Sequence, residues 1–234
     1  MISIIIPVLN EAESIGDLLN HLVEKSDSKN ISEIIIVDGG SMDETAEIVK
    51  SISTALDGTV VQLINSEKGR AKQLNNGANV ATGNILYFLH ADSFPPKDFD
   101  RLIINEVEKG NKAGCFRMQF DSNHWWLRLA SWLTQFSWRA CRGGDQSQFI
   151  TRELFDEIGG YDENYIIYED NILINELFAR KQFVVINHKL KTSARMYKKH
   201  GVWKVQYHFW TIYVKKWFGA SADEMLAYYK RHLC

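Results

Sequence analysis

EIIIVDGGSMDETAEIVKSISTAL (residues 33–56) reads as a strand, a turn and a helix in direct succession. Glu33 to Asp38 is a β-branched run of the kind buried on both faces of a parallel sheet. After Gly39-Gly40, the residues Ala46, Val49, Ile52 and Leu56 recur at helical spacing and make one apolar face. Ser41, followed three residues later by Glu44, is the pattern of a capped helix start. A similar unit stands before it. Ile2 to Ile6 is a strand, Asn10 with Glu13 repeats the start signal, and Glu13 to Lys25 carries Ile15, Leu18, Leu19 and Leu22 on one side. Val60 to Ile64 and Ile85 to Leu89 supply two more strands, separated by the basic, amide-rich helix start Lys68 to Gly77. This alternation predicts an α/β fold around a mainly parallel sheet, whose ligands bind at the carboxyl ends of the strands.

Beyond Asp92 the pattern loosens. Pro95-Pro96 opens a helix to about Glu108, Ala113 to Phe120 and Gln146 to Thr151 read as strands, Glu169 to Arg180 as a helix, and Phe183 to Ile186 as a strand. Two helices, Trp203 to Phe218 and Ser221 to His232, close the sequence. With no repeat, low-complexity segment or linker, the expectation is one domain over residues 1–200 and a helical C-terminal appendage, 201–234, packed on it.

The 234 residues are 45% hydrophobic and 24% charged, which excludes disorder and collagen-like architecture. A net charge of −2 conceals an asymmetry: residues 180–234 hold 12 basic and 2 acidic residues, residues 1–179 hold 15 and 27. The acidic body argues against nucleic acid as a partner. Cys115, Cys141 and Cys234 have neither disulfide-framework nor metal-ligand spacing. The start lacks a basic leader, and no apolar run approaches the roughly 20 residues of a membrane span, so the expectation is a cytoplasmic protein with membrane contact only from the surface.

The strand ends carry the chemistry. The first ends in Pro7-Val8-Leu9-Asn10-Glu11 with no glycine-rich turn, which argues against a dinucleotide-binding enzyme. The second ends at Asp38, a carboxylate placed to accept hydrogen bonds from a ligand where glycines let the backbone approach. The fourth ends in His90-Ala91-Asp92; in an extended chain the two outer side chains share a side and could address one ion. Arg70, in the helix start between the third and fourth strands, suits anionic oxygens.

Taken together, Ile-Pro-Val-Leu-Asn-Glu (6–11), Val-Asp-Gly-Gly-Ser-Met-Asp-Glu-Thr (37–45), Gly-Arg-Ala-Lys-Gln-Leu-Asn-Asn-Gly-Ala (69–78) and Phe-Leu-His-Ala-Asp (88–92) resemble the family-two glycosyltransferases of GT-A fold. They are similar in particular to a small bacterial branch described as associated with radical-SAM or selenodomain proteins. Gly144-Asp145-Gln146 and Tyr168-Glu169-Asp170 resemble its later motifs. The resemblance implies transfer of a hexosyl-type unit from a nucleoside diphosphate sugar, with a lean to uracil as base, to a hydroxyl acceptor, a lipid-linked one included. Pro7, Val8, Asn10 and Glu11 would line the donor site, with Asp38 facing the base and Gly39 and Ser41 beside it. Arg70, Asn75 and Ala91 would complete it. Asp92 would bind Mg²⁺ or Mn²⁺ bridging the diphosphate, and Asp170 would be the general base of an inverting attack, its pKa raised by the flanking Ile166, Ile167 and Tyr168. Arg195, with Tyr197 and Lys198, would lie over the donor phosphates. Asp145, Gln146 and Glu169 would meet the acceptor or the sugar, or be plain turn and helix-start residues.

Many relatives carry an aspartate where this chain has His90. The ion would then rest on Asp92 alone among the carboxylates, with His90 either a ligand or a hydrogen-bonding residue. The competing readings are a nucleotidyltransferase, which would want a glycine-rich loop with arginine and lysine after the first strand, and a nucleotide-sugar-binding or membrane-scaffold protein with a decayed site. Two aromatic stripes are left over. Trp125, Trp126, Leu129, Trp132, Leu133 and Phe136 read first as core, with an acceptor surface or membrane-facing patch as alternatives. Trp203, Tyr207, Trp210, Val214 and Trp217 fit a bilayer interface and packing on the catalytic domain equally well. The basic residues around them suit a solvated face, donor phosphates or anionic lipid.

Overall fold

The computed structural model describes residues 1–55, 58–143 and 146–233; the predicted apolar position Leu56, Asp145 with its neighbour Gly144, and Cys234 lie outside them. β1 (Ile2–Val8) occupies the centre of an eight-stranded sheet because it is apolar on both faces. β2 (Ile31–Asp38) and β4 (Ile85–Phe88) pair with it in parallel, and β3 (Val61–Asn65) adds in parallel beyond β2. The other half of the sheet is mixed. β7 (Gln148–Thr151) runs antiparallel to β4, β6 (Ala113–Phe120) antiparallel to β7, and β8 (Val184–Thr192) parallel to β6 with the two-residue β5 (Ser93–Phe94) at its edge. The order is β3-β2-β1-β4-β7-β6-β8-β5.

Alternation along β1 sorts the two cores. Ile4, Ile6 and Val8 meet α1 (Ala12–Lys25) and α4 (Phe99–Glu108) through Leu18, Leu22, Phe99 and Ile103. Ile5 faces the opposite layer, where α3 (Arg70–Val80), α6 (Arg152–Ile158) and α7 (Glu169–Ala179) contribute Leu74, Phe155 and Leu173. α2 (Thr45–Ala55) packs beside α1 on the first layer. Gly77 is where α3 crosses β1 and β2: a Cβ there would run into the Ile5 side chain and come within 2.9 Å of Val37 Cγ2. Arg152 closes the far end of α3 by donating to the carbonyls of Ala78, Ala81 and Gly83.

Several sequence expectations are corrected. Neither Asn10 nor Ser41 caps a helix: α1 has Glu11 at its N-cap without a side-chain bond, and α2 begins only at Thr45, whose N–H donates to Asp43 Oδ1 at 3.1 Å. The helix after Pro95-Pro96 starts at Phe99, following Asp98 with φ +57°. β8 continues six residues past Ile186, α6 and α8 (Arg195–His200) had no periodic signal, and β7 starts after Gln146.

The aromatic stripes are the largest correction. α5 (Trp125–Leu133) buries Leu127 against Met118, Phe120 and Ala194, while Trp125, Leu129 and Trp132 stay exposed. The stripe is therefore core only in part: Trp126 packs against that cluster, Leu133 and Phe136 are half-buried, and the other three residues face outward. In α9 (Val202–Trp217) the buried residues are Val205, His208 and Ile212, and the predicted stripe from Trp203 to Trp217 faces outward. His208 Nδ1 sits 2.8 Å from Tyr228 Oη and its ring stacks on His232, which joins α9 to α10 (Ala222–Leu233). No helix among the described residues is long and apolar enough to cross a membrane.

At the amino edge of the sheet, Glu33 is buried and accepts hydrogen bonds from Ser3 Oγ and from the backbone and hydroxyl of Thr82, linking β2 to β1 and to the turn before β4. Burial pushes its carboxyl up, but these hydrogen bonds together outweigh it and hold the group below its ordinary value. A carboxyl depressed in the folded state contributes stability above its unfolded pKa, near 4.3, and loses that contribution as pH falls through the lower folded value. Glu33→Gln should cost about 1–3 kcal/mol at neutral pH. In urea titrations the deficit should persist down to about pH 4 and shrink below it.

Candidate active site

The crevice opens where β1 and β2 end. Gln73 of α3 is buried there, and its amide donates to the carbonyls of Val8 (2.9 Å) and Val37 (2.8 Å). Gly39 is required beside it, since a Cβ would sit 3.0 Å from that amide. The loops leaving the two strands are laced together. Asn10 N–H donates to Ser41 Oγ, Met42 N–H to Asn10 Oδ1, Glu11 N–H to Thr45 Oγ1 and Ala12 N–H to Asp43 Oδ2. Asn10 holds φ +56°, the left-handed region that asparagine tolerates, so that its carboxamide can cross to the neighbouring loop. Asp38 is buried, and its Oδ1 accepts from Gly40 N–H, Ser41 N–H and Ser41 Oγ–H at 3.2, 2.9 and 2.7 Å. Its Oδ2 accepts no hydrogen bond from the described residues, the arrangement of a carboxylate held rigid by one oxygen with the other available to a ligand.

Arg195, at the first turn of α8, reaches back to this edge. Its Nη2 lies 3.0 and 3.1 Å from the two Glu11 carboxylate oxygens and 3.9 Å from Asp92 Oδ2. The hydrogen bond to Glu11 raises the guanidinium pKa further, burial opposing. Glu11 and Asp92 thus already share one cation, and hard carboxylate oxygens are the donor type that Mg²⁺ or Mn²⁺ takes, with diphosphate and water completing the shell. Among the described residues no group of three or more His, Cys, Asp or Glu side chains could hold a metal. Tyr197 and Lys198 turn away from the site, Tyr197 packing edge-on against Phe120 and Lys198 pairing with Asp121 at 3.3 Å.

His90 and Asp92 are not on one extended strand. β4 ends at Phe88, and a turn closed by the Ser93 N–H to His90 carbonyl bond (3.1 Å) carries the chain through Ala91, which is buried. His90 then shares a small enclosed space with Leu74, Phe88, Tyr161 and Asp170, whereas Asp92 meets Arg195. Burial first and the Arg70 charge second push the His90 imidazole down to about 3, so it stands neutral beside Asp170.

Asp170 and Glu169 form the first turn of α7, presented by Tyr168 with φ +75°. Both carboxylates are buried. Arg70 Nη1 lies 3.1 Å from Glu169 Oε1 and 3.7 Å from Asp170 Oδ2. Burial and the charges of Asp170 and Glu169 raise the Tyr161 phenol well above its usual value. The surroundings of Asp170 are Leu74, Phe88 and Tyr161, not the expected Ile166, which is half exposed.

Three of the expected site residues hold partners within the protein. Asn75 is spent as a clip: its amide donates to the Tyr161 carbonyl and Glu163, and its oxygen accepts from Tyr161 N–H. Gln146 is buried, accepting from Arg142 at 2.7 Å and donating to the Cys141 carbonyl at 2.6 Å. Glu169 Oε1 accepts from Arg70. Asp145 lies outside the described residues. Gln73 and the pairing of Glu11 with Arg195 had no signal in sequence beyond the amide-rich composition of residues 68–77 and the basic tail.

Known proteins place this arrangement. Residues 3–162 match the model of glycosyl transferase family 2. The chain is 38% identical over 94 residues to glycosyltransferase AglE of Haloferax volcanii, covering 40% of this chain and 31% of that one. It is 33% identical over 133 residues to the undecaprenyl-phosphate 4-deoxy-4-formamido-L-arabinose transferase of Edwardsiella ictaluri, covering 56% and 41%. It thus spans well under half the length of either relative. Among solved structures, the mannosyltransferase PcManGT of Pyrobaculum calidifontis, in complex with GDP-Man and Mn²⁺, superposes with a TM-score of 0.67 at 20% identity over 90% of this chain and 59% of that one. S. aureus TarS 1-349 in complex with UDP-GlcNAc gives 0.67 at 18% identity over 82% and 58%. With the family matched across most of its length and the fold shared with these transferases, the chain belongs to glycosyl transferase family 2 and has the GT-A fold.

Proposed function

We propose that this protein is a metal-dependent, inverting glycosyltransferase that moves a hexosyl-type unit from a nucleoside diphosphate sugar to a hydroxyl acceptor. The observation that carries the reading is the gathering of Asp38, Asp92, Arg195 and Asp170 on the carboxyl edge of one sheet. Asp38 Oδ2 accepts the N–H of the base, uracil being the fit we favour, and Arg195 binds the diphosphate. Asp92 and Glu11 are the residues that would hold Mg²⁺ or Mn²⁺, which when bound offsets negative charge on the departing diphosphate; the Mn²⁺ in the Pyrobaculum calidifontis complex supports that choice.

Asp170 takes the proton of the acceptor hydroxyl as its oxygen bonds to the anomeric carbon. The bond from that carbon to the diphosphate breaks with its electron pair leaving on the diphosphate oxygen, and the single displacement inverts the centre. Neutral His90 and the apolar wall of Leu74 and Phe88 keep bulk water from the carboxylate. The undecaprenyl-phosphate relative supports a lipid-linked acceptor. A lipid phosphate, with a second pKa near 6, would be nucleophilic without a base, and that is the second reading.

Asp170→Asn separates the two. Arg70 stays held by Glu169, so donor affinity should be unchanged by calorimetry, while turnover onto a hydroxyl should fall about 10²–10⁴-fold. A fully active variant removes Asp170 as base and points to a phosphate acceptor. The product released from a panel of nucleotide sugars with manganese should be nucleoside diphosphate; pyrophosphate released from a sugar phosphate and a nucleoside triphosphate would indicate nucleotidyl transfer instead.

Arg195→Ala tests the other side. Loss of charge-assisted bonds of about 1.5–3 kcal/mol should raise the donor KM roughly 10–100-fold with a smaller change in kcat, read by steady-state kinetics.

A further inference from the structure

All seven tryptophans lie in residues 125–138 and 203–217. Six of them keep 48% to 85% of their surface exposed, where tryptophan is ordinarily among the most buried side chains on average. They form a continuous feature. Trp125 and Trp126 of α5 contact Trp203 of α9 at ring distances of 5.8 and 5.5 Å, and Trp126 meets Trp210 edge-on at 5.8 Å. From this junction one exposed stripe runs along α5 to Trp132 and another along α9 through Tyr207 to Trp217. So large an aromatic surface marks an interaction face.

Its electrostatic setting selects the occupant. Residues 177–222 contain ten Lys or Arg and no acidic residue, and residues 122–144 contain three arginines and none; Arg142 is buried, and Arg180, Arg195 and Lys198 pair with acids elsewhere, which leaves the cations of α5 and α9 to the face. Arg128 and Lys204 are exposed on the two helices that carry the stripes. A second copy of the chain would bring like charges together, and nucleic acid would meet the acidic body. Tryptophan and tyrosine rings with an apolar body and a polar edge, on helices that also expose Arg128 and Lys204, match the headgroup layer of a bilayer.

We infer that the outward face of α5 and α9 docks this protein on an anionic phospholipid surface, with α9 lying in the interface and not spanning it. α9 also touches the catalytic side of the molecule. Tyr213 packs edge-on against Tyr168, the residue before Glu169-Asp170, at 5.3 Å, and Lys216 lies 4.6 Å over the Tyr165 ring. Docking on this face would therefore place the base-bearing loop beside the membrane, where a lipid-linked acceptor is confined. That last step rests on the transfer reading above, and the docking does not.

The test is flotation of the full chain with vesicles of phosphatidylcholine alone and of phosphatidylcholine mixed with phosphatidylglycerol, at low and high salt, without donor or turnover. The protein should float with anionic vesicles at low salt and show a blue shift of tryptophan emission. Partition should drop at least tenfold on neutral vesicles or at high salt. Trp132→Ser with Trp217→Ser removes two exposed side chains and should weaken partition at least tenfold while leaving the thermal melt in place. Arg128→Glu with Lys204→Glu should do the same through charge alone. Absence of flotation at low salt, or partition unchanged in both double variants, overturns the inference. So does a lipid-free dimer by light scattering that the tryptophan variant dissociates, which would assign the face to a second copy.

Discussion

One side-chain amide sets the site. A sheet strand that stops to make room for a ligand leaves carbonyls that the ladder no longer pairs, and each buried carbonyl left open costs about 1–3 kcal/mol. Gln73 donates to two carbonyls at the strand ends, that of Val37 and that of Val8, which also accepts from Gly39 N–H, from a helix on the opposite side of the sheet from α1 and α2. A Cβ at residue 39 would crowd that amide at 3.0 Å, so the amide would have to shift. Asp38 is the last residue of β2, and the Asn10 and Ser41 loops can meet only because both strands end together. The crevice is held by that bond pair together with the hydrogen bonds between the two loops.

Charge in the site is arranged by depth. Glu11, Asp38, Asp92, Glu169 and Asp170 would repel one another at close range, since two unit charges 4 Å apart interact by about 4 kcal/mol at an effective dielectric constant of 20. Arg70 and Arg195 offset that repulsion, one on each side of the crevice. The carboxylates of Glu169 and Asp170 are buried, while the two arginines remain about half exposed at the rim. Cations at a rim can shift toward an arriving diphosphate at little desolvation cost, and the buried acids behind them keep their places. An acidic chain can in this way hold an anionic donor.

The four parallel strands and the first three helices were legible because burial on both strand faces and the 3.6-residue period leave a direct imprint on apolar spacing. The placement of Asp38 and Asp170 was legible for a related reason: strand ends and helix starts are read from the same spacing. What local pattern could not supply was partner choice. Arg195 and Glu11 are 184 residues apart, and nothing near either announces the other. Asn10 and Ser41 looked like caps because the residue types that cap helices are also those that lace loops. Gln146 and Asn75 carried polar groups in motif positions, but one is consumed by Arg142 and the other by the Tyr161 turn. The His90 expectation failed on geometry, since alternation holds only while the chain is extended and the strand ends two residues earlier.

Periodicity alone was also unable to say which side of a striped helix is covered. In α9 the two candidate faces are Val205-His208-Ile212 and Trp203-Tyr207-Trp210-Val214-Trp217, offset by about half a turn of the helix. Burying one exposes the other. The smaller face wins because His208 carries a hydrogen bond to Tyr228 and a stack on His232, which tie α10 to it. Burying the tryptophan stripe instead would turn those groups to solvent and leave α10 without its anchor. The same phase directs Lys216 and Tyr213 toward Tyr165 and Tyr168, just before the first turn of α7. The basic tail is thereby divided by helix geometry: Arg195 reaches Glu11 and Asp92, Lys198 pairs with Asp121, Lys216 meets Tyr165, and Lys204 stands exposed on the helix whose aromatic face the other described residues leave uncovered.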